Sequence, residues 1–388
     1  LLNMLGMAGR IGQLDHSSIR KGYQLHHLIQ LIDMTLIKYF LVLLPLTLVN
    51  AQNLKNRLQV LEVHSGPVIK KGDKGTEDNK YGFEGGRAFK YKGEYQLFTA
   101  ERHGDPILVK MRLAHWKSED GIKWDRVSTL FESSGDFSGI DKAASIWSPM
   151  PIYNPDEDRY NLLYVNYRSK PNDSTGWYLN YEGRIMRAVS TKNGKEGFGG
   201  PYKNVSYILE PDENDGSWVG LQGNDSFFPY QVGNIWYGFY GSAQTQSENH
   251  PTMPIDLNHP KWNLTLSKAN TLRGPWKKLT KDGPVEFHEN FAENPVITKL
   301  NNGLYVAMVD GGSKSFGYSI SNDGLNWTKA EFINLEKFTK KWWTIMRTPM
   351  GLIHEYDNIY TVFFTAYTDK KVQDGEFSEI GMVKFKLN

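Results

Sequence analysis

The sequence contains no cysteine among its 388 residues. Disulfides, thiolate-bound zinc and a cysteine nucleophile are therefore excluded. Neither sign of charge is in excess, because 45 lysines and arginines face 43 acidic residues and leave a formal net charge of +2. This balance gives no electrostatic reason to expect nucleic acid or an anionic membrane surface as a partner.

Long apolar runs are also missing. The best candidate, residues 39–49, is too short for a membrane-spanning helix, which needs about 20 residues. It follows Lys38 and leads to a small residue at Ala51, a pattern typical of a secretory signal peptide rather than of a buried helix, the alternative. We predict a signal peptide over residues 34–51 and a secreted or periplasmic protein. Residues 1–33 are interpreted as an untranslated segment upstream of a start at Met34.

Aromatic residues, by contrast, are abundant: they make up 13% of the chain, with 11 Trp and 21 Tyr. Such a content suits the packing of β-sheets and also suits surfaces that stack against sugar rings. No helical periodicity longer than a few turns follows Gln52, and this absence favours an all-β fold.

Five stretches of the chain read as similar β-hairpins. In the clearest, residues 292–310, two runs of strand-forming residues flank an Asn-Asn-Gly turn that supplies the positive φ of a tight hairpin. A tyrosine follows the turn in each copy, and the five tyrosines are Tyr95, Tyr160, Tyr237, Tyr305 and Tyr360. The copies therefore recur at intervals of 55 to 77 residues.

A second pair of strands follows each hairpin. After the first and fourth hairpins the chain carries the same Ser-x-Asp-Gly-x-x-Trp turn, ending on Trp124 and Trp327. Four short strands in a repeating unit are typical of a β-propeller. We predict one five-bladed β-propeller with four-stranded antiparallel blades, which forms a single catalytic domain within residues 52–388.

The first strand of each propeller blade lines the central axis, so equivalent positions on these strands converge. Counting back eleven or twelve residues from the five tyrosines gives Glu84, Ser148, Asp225, Glu293 and Thr348. Three of the five are carboxylates, and buried like charges are unfavourable unless they are used. Glycoside cleavage uses such a group, since one acid protonates the leaving oxygen and a second carboxylate activates water. A structural cluster or a calcium site with oxygen ligands is the alternative.

Two of these strands resemble those of glycoside hydrolase family 43. Residues 293–305, which open with Glu-Asn-Pro, resemble the strand of its general acid, and residues 224–228, Asn-Asp-Ser-Phe-Phe, resemble the strand of its pKa modulator. The resemblance implies Glu293 as the acid, Asp225 as the modulator and Glu84 as the base. The related five-bladed families 32, 62, 68, 117 and 130 share the architecture.

The sequence departs from the family pattern at several positions. The family base is usually Asp, whereas this chain offers Glu84, and Trp147-Ser148-Pro149 stands where the family often has Trp-Ala-Pro-Asp. Arg347 stands where the family often has a histidine near a central ion. Further residues assigned to substrate binding are Arg87, Trp147, Asn224, His288 and Arg347.

The two arginines lead to alternative predictions. Arg87 and Arg347 either bind an anionic group of a sulfated or uronic-acid sugar, or each pairs with a catalytic carboxylate. His288 is the alternative general acid, because family 117 uses a histidine at that place.

The sequence as a whole predicts a secreted glycoside hydrolase, exo-acting and inverting, on oligosaccharides derived from plant or algal polysaccharides. The alternatives are a non-catalytic carbohydrate-binding propeller and a phosphorylase or transferase on the same fold. No cofactor is expected to be required and no catalytic metal is predicted, and a calcium ion at the propeller axis would be structural. The partner is an oligosaccharide, with no nucleic acid or membrane expected.

Overall fold

The structure of the protein, a computed structural model, is built almost entirely of β-strands, which confirms the predicted all-β class. It describes residues 58–172, 177–211, 219, 222–243, 262–279, 285, 287, 291–312, 315–335, 341–368 and 376–388. The predicted signal peptide and His288 lie outside these residues. The described part of the chain has a single short helix, the 3-10 turn Lys195–Gly199, and no helix there is long and apolar enough to cross a membrane.

The strands form five antiparallel sheets, and each sheet is one blade of a propeller. Blades 1 to 4 each contain four strands that are consecutive in the chain. Blade 1 contains β2 (Phe83–Tyr91), β3 (Glu94–Arg102), β4 (Met111–Ser118) and β5 (Asp125–Glu132). Blade 2 contains β6 (Ser145–Asn154), β7 (Arg159–Asn172), β8 (Trp177–Asn193) and β9 (Tyr202–Leu209). Blade 3 contains β10 (Asp225–Val232), β11 (Ile235–Ala243), β12 (Trp262–Ala269) and β13 (Lys277–Lys278). Blade 4 contains β14 (Glu293–Lys299), β15 (Tyr305–Asp310), β16 (Phe316–Ser321) and β17 (Glu331–Phe332).

Blade 5 joins the two ends of the described chain. Its strands are β18 (Ile345–Pro349), β19 (Ile353–Tyr356), β20 (Ile359–Tyr367), β21 (Glu379–Leu387) and β1 (Leu58–Val63). Strand β1 pairs antiparallel with β21, from Leu58 opposite Leu387 to Val63 opposite Val383. This pairing closes the ring of blades. Strand β21 is paired with β20 on one side and with β1 on the other, so neither of its edges is unpaired. Residues 58–63 therefore belong to the propeller, although the hairpin repeat begins only near residue 80.

The first strands of the blades line the axis, as predicted. Strands from different blades are bonded to each other there: the Arg87 guanidinium on β2 donates to the carbonyl oxygen of Pro151 on β6. The Ser226 hydroxyl on β10 donates to the Asn294 amide oxygen on β14 at 3.0 Å. The Thr298 hydroxyl donates to the Leu352 carbonyl oxygen at 3.1 Å, which joins blade 4 to blade 5.

The two Ser-x-Asp-Gly-x-x-Trp turns have the same geometry. In each, the aspartate accepts hydrogen bonds from two following backbone N–H groups and the glycine has a φ of +77°, at Gly121 and Gly324. The tryptophan that ends each turn packs on the preceding blade, with Trp124 at 5.1 Å from Phe363 and Trp327 at 5.4 Å from Phe239, measured between ring centroids. The repeated motif thus packs neighbouring blades together.

The five tyrosines all lie on the second strands of their blades, as predicted, but their registers differ. Tyr305 pairs with the last residue of β14, Lys299, whereas Tyr237 pairs with Tyr230, two residues before the end of β10. Counting back from the tyrosines therefore does not reach the same position on every first strand.

Candidate active site

Each first strand contains an irregularity at the end that carries the predicted site residues. In blades 2, 3 and 4 two residues bulge out of the pairing, between Trp147 and Met150, Asp225 and Phe228, and Glu293 and Val296. The corresponding irregularities in blades 1 and 5 follow Glu84 and Met346. β-Bulges next to active sites redirect side chains, and here they direct the preceding residues toward one end of the axis.

This register corrects two of the five sequence-derived positions. The residues that precede the bulges in blades 2 and 5 are Trp147 and Met346, whereas Ser148 and Thr348 lie inside the bulges. The error arose because the number of residues between bulge and tyrosine varies with turn length. For blade 2 the position of the proline indicates the correct alignment, since Trp147-Ser148-Pro149 aligns directly with Glu293-Asn294-Pro295.

The bulges of three blades meet beneath the carboxylates. The first bulge residues, Ser148, Ser226 and Asn294, have φ values of +52°, +51° and +49°, a conformation that costs energy for residues other than glycine. The amide oxygen of Asn294 accepts hydrogen bonds from the hydroxyls of Ser148 at 3.2 Å and Ser226 at 3.0 Å. These contacts hold the three strained bulges together as the floor of the site.

Four carboxylates lie above this floor, one more than the sequence predicted. Glu84, Asp225, Glu293 and Asp310 are 8%, 5%, 13% and 0% exposed, with the figure for Glu293 referring to its side chain. The fourth, Asp310, ends β15 directly opposite Glu293 in the hairpin register. Sequence reasoning missed it because only first strands were compared, although Asp310 closes the same predicted hairpin.

Asp310 and Arg347 form the best-anchored part of the cluster. Asp310 accepts hydrogen bonds from the Gly312 backbone N–H at 2.7 Å and the Thr348 hydroxyl at 3.0 Å. Arg347 donates to Asp310 through Nε at 3.3 Å and through Nη2 at 3.2 Å, and Nη2 also reaches Glu293 at 3.1 Å. Arg347 therefore pairs with carboxylates of the site, which is the second of the two predictions for it. Its side chain is 24% exposed, so the site opens to solvent here.

The environment of Glu293 disfavours the ionised form of its carboxyl. Burial raises the pKa of Glu293 well above its usual value, Arg347 opposes this shift, and the charges of Asp225, Asp310 and Glu84 reinforce it. Burial also raises the pKa of Asp225 to about 6, against hydrogen bonds from Tyr167, Ser226 and Glu293. The Asp225 and Glu293 carboxyls thus influence each other's pKa.

Glu84 lies on the other side of the cluster. Its Oε1 accepts a hydrogen bond from the Tyr367 hydroxyl at 2.8 Å. Tyr367 is fully buried, and the guanidinium carbon of Arg102 lies 5.2 Å from the centre of its ring. The Arg102 side chain is in turn held by the Ser378 hydroxyl at 2.9 Å. Neither Tyr367 nor Arg102 was singled out from the sequence, because their strands follow rather than begin their blades.

The remaining sequence-predicted residues fall in different places. Trp147 is half-buried at the end of β6, and its indole N–H donates to the Ser145 hydroxyl at 2.6 Å. Asn224 is fully buried beside Asp225, and its side-chain amide has no hydrogen-bond partner within the described residues. Arg87 lies deeper along the axis, against the rings of Phe89 and Phe228, and takes no part in the carboxylate cluster.

The calcium ion that the sequence left as an alternative stays a prediction. The Arg347 guanidinium bridges Glu293 and Asp310, so a cation is already paired with these two carboxylates. In the part of the chain that the structure describes, no group of three or more His, Asp or Glu side chains has a metal-binding arrangement.

Comparison with known proteins gives structural matches only. The sequence matches no known family profile and no curated protein. Zg3597, a family 117 glycoside hydrolase produced by the marine bacterium Zobellia galactanivorans, superposes with a TM-score of 0.56 at 13% identity, over 87% of this chain and 92% of that one. BT0996, in a structure described as an RGII complex, gives a TM-score of 0.60 at 12% identity, over 84% and 92%.

A third match is the GH43_1 enzyme from Xanthomonas citri complexed with xylotriose, with a TM-score of 0.50 at 10% identity, over 85% of this chain and 91% of that one. Similarity at these identities shows a shared fold. The chain is thus a five-bladed β-propeller of the kind found in glycoside hydrolases of families 43 and 117, which confirms the architecture that the resemblance implied.

Proposed function

We propose that this protein is a secreted, inverting glycoside hydrolase that acts from the ends of oligosaccharides derived from plant or algal polysaccharides. The observation that supports this most is the pair Asp225 and Glu293, buried together with raised pKa values, in one cluster with a third carboxylate, Glu84, that has a separate hydrogen-bond donor. Two carboxyl groups in unlike environments are what acid and base roles require.

In this proposal Glu293 is the general acid. Its carboxyl keeps a proton near neutral pH, because burial and neighbouring negative charges disfavour the ionised form. During cleavage it would donate that proton to the glycosidic oxygen as the bond breaks. The negative charge of Asp225 would help to keep the proton on Glu293, and Arg347, which donates to Glu293 at 3.1 Å, would fix the orientation of the carboxyl.

Glu84 is the base in this proposal. An ionised carboxylate would take a proton from a water molecule, and the water oxygen would attack the anomeric carbon from the face opposite the leaving group. The Tyr367 hydroxyl at 2.8 Å would hold Glu84 in position for this step. In inverting enzymes the two carboxyl groups stand about 6.5–9.5 Å apart, which leaves room for the water.

The choice of substrate rests on neighbours and on chemistry. Among the matching structures are one described as an RGII complex and one complexed with xylotriose, and another comes from a marine bacterium. An oligosaccharide is therefore the proposed ligand class. The half-buried Trp147 and the partly exposed Arg347 are the proposed contacts for a sugar ring and its polar substituents, because both keep part of their surface open to solvent.

The test is an activity screen on aryl glycosides and on neutral and acidic plant and algal oligosaccharides. We expect hydrolysis of at least one class, release of single sugars from chain ends, and a product of inverted anomeric configuration in proton NMR spectra recorded during the first turnovers. Products that form only with added phosphate would indicate a phosphorylase. Binding of an oligosaccharide without turnover would indicate the non-catalytic alternative.

A further inference from the structure

A second cavity lies along the axis beyond the floor of the carboxylate site. It has a volume of about 240 Å³ and is lined by the far parts of the first strands of blades 1, 4 and 5, including Arg87, Lys90, Thr298 and His354. One water molecule occupies about 30 Å³ in the liquid, so this space holds several waters or one small polyatomic ion. Of the bonded bulge residues, Asn294 lies on one of these strands, β14, nearer to the carboxylates than Thr298.

Among the charged groups that line this cavity, Arg87 has the fewest hydrogen-bond partners for its donors. Its Nη1 donates to the Pro151 carbonyl oxygen, and its guanidinium carbon lies 5.4 Å from the Phe89 ring centre and 5.3 Å from that of Phe228. An arginine carries five N–H donors, and no other hydrogen bond to Arg87 occurs within the described residues. None of the described carboxylates forms an ion pair with it.

Such a partnership is weak for a half-buried cation. Burial lowers the pKa of Arg87, and Tyr160 rather than a carboxylate opposes this shift. Stacking on aromatic rings offsets only part of the cost of removing a charge from water. Arg87 differs in this from Arg347, which has two carboxylates, and from Arg112, which has Glu101 and Asp78.

The other charges around the cavity do not balance Arg87. Lys90 forms an ion pair with Glu355, and the Tyr95 hydroxyl also donates to Glu355 at 2.7 Å. Glu355 is therefore already paired. His354 is exposed, and its Nε2 lies 2.9 Å from the carbonyl oxygen of Asp357. The cavity keeps a positive charge together with free N–H donors.

We propose that this cavity is an anion-binding site, in which the Arg87 guanidinium holds a small tetrahedral oxyanion such as sulfate or phosphate at the far end of the axial channel. Planar guanidinium groups bind oxyanions through paired hydrogen bonds. A bound oxyanion would neutralise Arg87 and would link blades 1, 4 and 5 at the axis. This inference does not depend on the catalytic proposal, because the carboxylate cluster takes no part in it.

Sulfate is the probe of choice, because it cannot replace phosphate in a phosphorolysis reaction. We expect isothermal titration of the whole protein with sulfate, in a buffer of low ionic strength, to show one saturable site. Arg87→Met keeps the length and the stacking of the side chain and should weaken sulfate binding by about tenfold or more, the effect of losing charge-assisted hydrogen bonds.

Two matched variants locate the site. Lys299→Met removes an exposed cation that lies 5.1 Å from the Tyr305 ring but does not line the cavity, and Arg347→Met removes the cation of the carboxylate cluster. Both should bind sulfate within about twofold of the unaltered protein. If Arg347→Met rather than Arg87→Met abolishes binding, or if all variants bind alike, the proposal is wrong.

Crystals of the unaltered protein soaked in selenate provide a test that does not require a variant to fold. An anomalous peak beside Arg87 would support the site. Selenate bound at full occupancy at other places in the crystal, with none in the cavity, would overturn it. Loss of hydrolytic activity has no bearing on either measurement, so a failure here is distinguishable from a failure of the proposed function.

Discussion

Glu293 and Glu84 both lie in the carboxylate cluster and both come from first strands of their blades, but their hydrogen-bond partners differ in character. Glu293 is surrounded by Asp225 and Asp310, with Arg347 as its cation. Glu84 has a neutral hydroxyl donor, that of Tyr367, within 2.8 Å. Negative neighbours favour a Glu293 carboxyl that keeps its proton, whereas the Tyr367 hydroxyl fixes the position of the Glu84 carboxyl.

The comparison teaches that position on the propeller brings these acids together, while second-strand residues give them different properties. Asp310 and Tyr367 lie on β15 and β20, each the partner of a first strand. Both are fully buried. The role of each first-strand acid is thus determined by the strand that pairs with the acid or lies beside it.

The largest expected effect comes from exchanging the two glutamates for glutamine one at a time. Glu293→Gln should reduce turnover of a natural oligosaccharide at least about a hundredfold, the range usual for loss of general acid catalysis. The loss should be smaller on an activated aryl glycoside, because its leaving group needs no proton. Steady-state kinetics on both substrates provide the measurement.

Glu84→Gln is the matched variant on the other side of the comparison. It should reduce turnover of both substrates alike, since attack by water is needed for each. Full activity of Glu293→Gln on a natural oligosaccharide would place the acid elsewhere, and His288 would be the next residue to test.

Much of this architecture could be predicted because it is encoded locally. Hairpin turns, alternating strand residues and the repeated Ser-x-Asp-Gly-x-x-Trp turn each depend on a few neighbouring residues, and they recur often enough to count blades. The carboxylates Glu84, Asp225 and Glu293 were found through that repetition, although their catalytic roles remain predictions. Strand β1 was not found, because its partner β21 lies at the other end of the described chain.

Registers were harder to predict than strands. A bulge changes which residue precedes the irregularity, and counting back from the tyrosines does not detect it, so Ser148 and Thr348 were placed wrongly. The position of Asp310 opposite Glu293 could have been predicted from the hairpin of residues 292–310, whose turn was recognised. It was missed because only first strands were compared. Tyr367 and Arg102 reach the site through contacts between distant parts of the chain, for which the sequence carries no local signal.

The acid side of the cluster should reduce the stability of the fold at alkaline pH. The pKa of Asp225 is raised from 3.8 to about 6 in the folded protein, so its contribution to stability is present at low pH and is lost as the pH rises through this window. The difference amounts to about 3 kcal/mol. Asp225→Asn should therefore increase the free energy of unfolding at about pH 8 and leave it nearly unchanged at about pH 4.

Urea denaturation of both proteins at the two pH values provides the measurement, and loss of activity in the variant is expected alongside. An Asp225→Asn protein that is less stable at both pH values would mean that the carboxylate is held by its hydrogen bonds rather than penalised by burial.

Asp310 and Arg347 should shift the pH range of activity in opposite directions. The charge of Asp310 raises the pKa of Glu293 and the charge of Arg347 lowers it. Because the acid must be protonated, activity is lost as the pH rises through its pKa. Asp310→Asn should therefore move this loss to lower pH, and Arg347→Met should move it to higher pH, each by about one pH unit.

The pH dependence of kcat on a natural oligosaccharide shows both shifts, and the two variants serve as controls for each other. Shifts in the same direction would show that the changes disturb the cluster in general rather than its charge balance.

The smallest expected effect concerns the hydroxyl that distinguishes the base side. Tyr367→Phe removes the donor at 2.8 Å from Glu84 and keeps the ring against Arg102. A hydrogen bond to a charged group is worth about 1.5–3 kcal/mol, but Glu84 stays in place, so we expect kcat/KM to fall about tenfold at most. The fall should be equal on natural and activated substrates, as for Glu84→Gln, and should appear in kcat rather than KM.

Tyr360→Phe, on the same strand β20 but beside His354, is the matched control and should leave kcat unchanged. A loss confined to the natural substrate would instead link Tyr367 to the acid, and the contrast between the two glutamates would then need another cause.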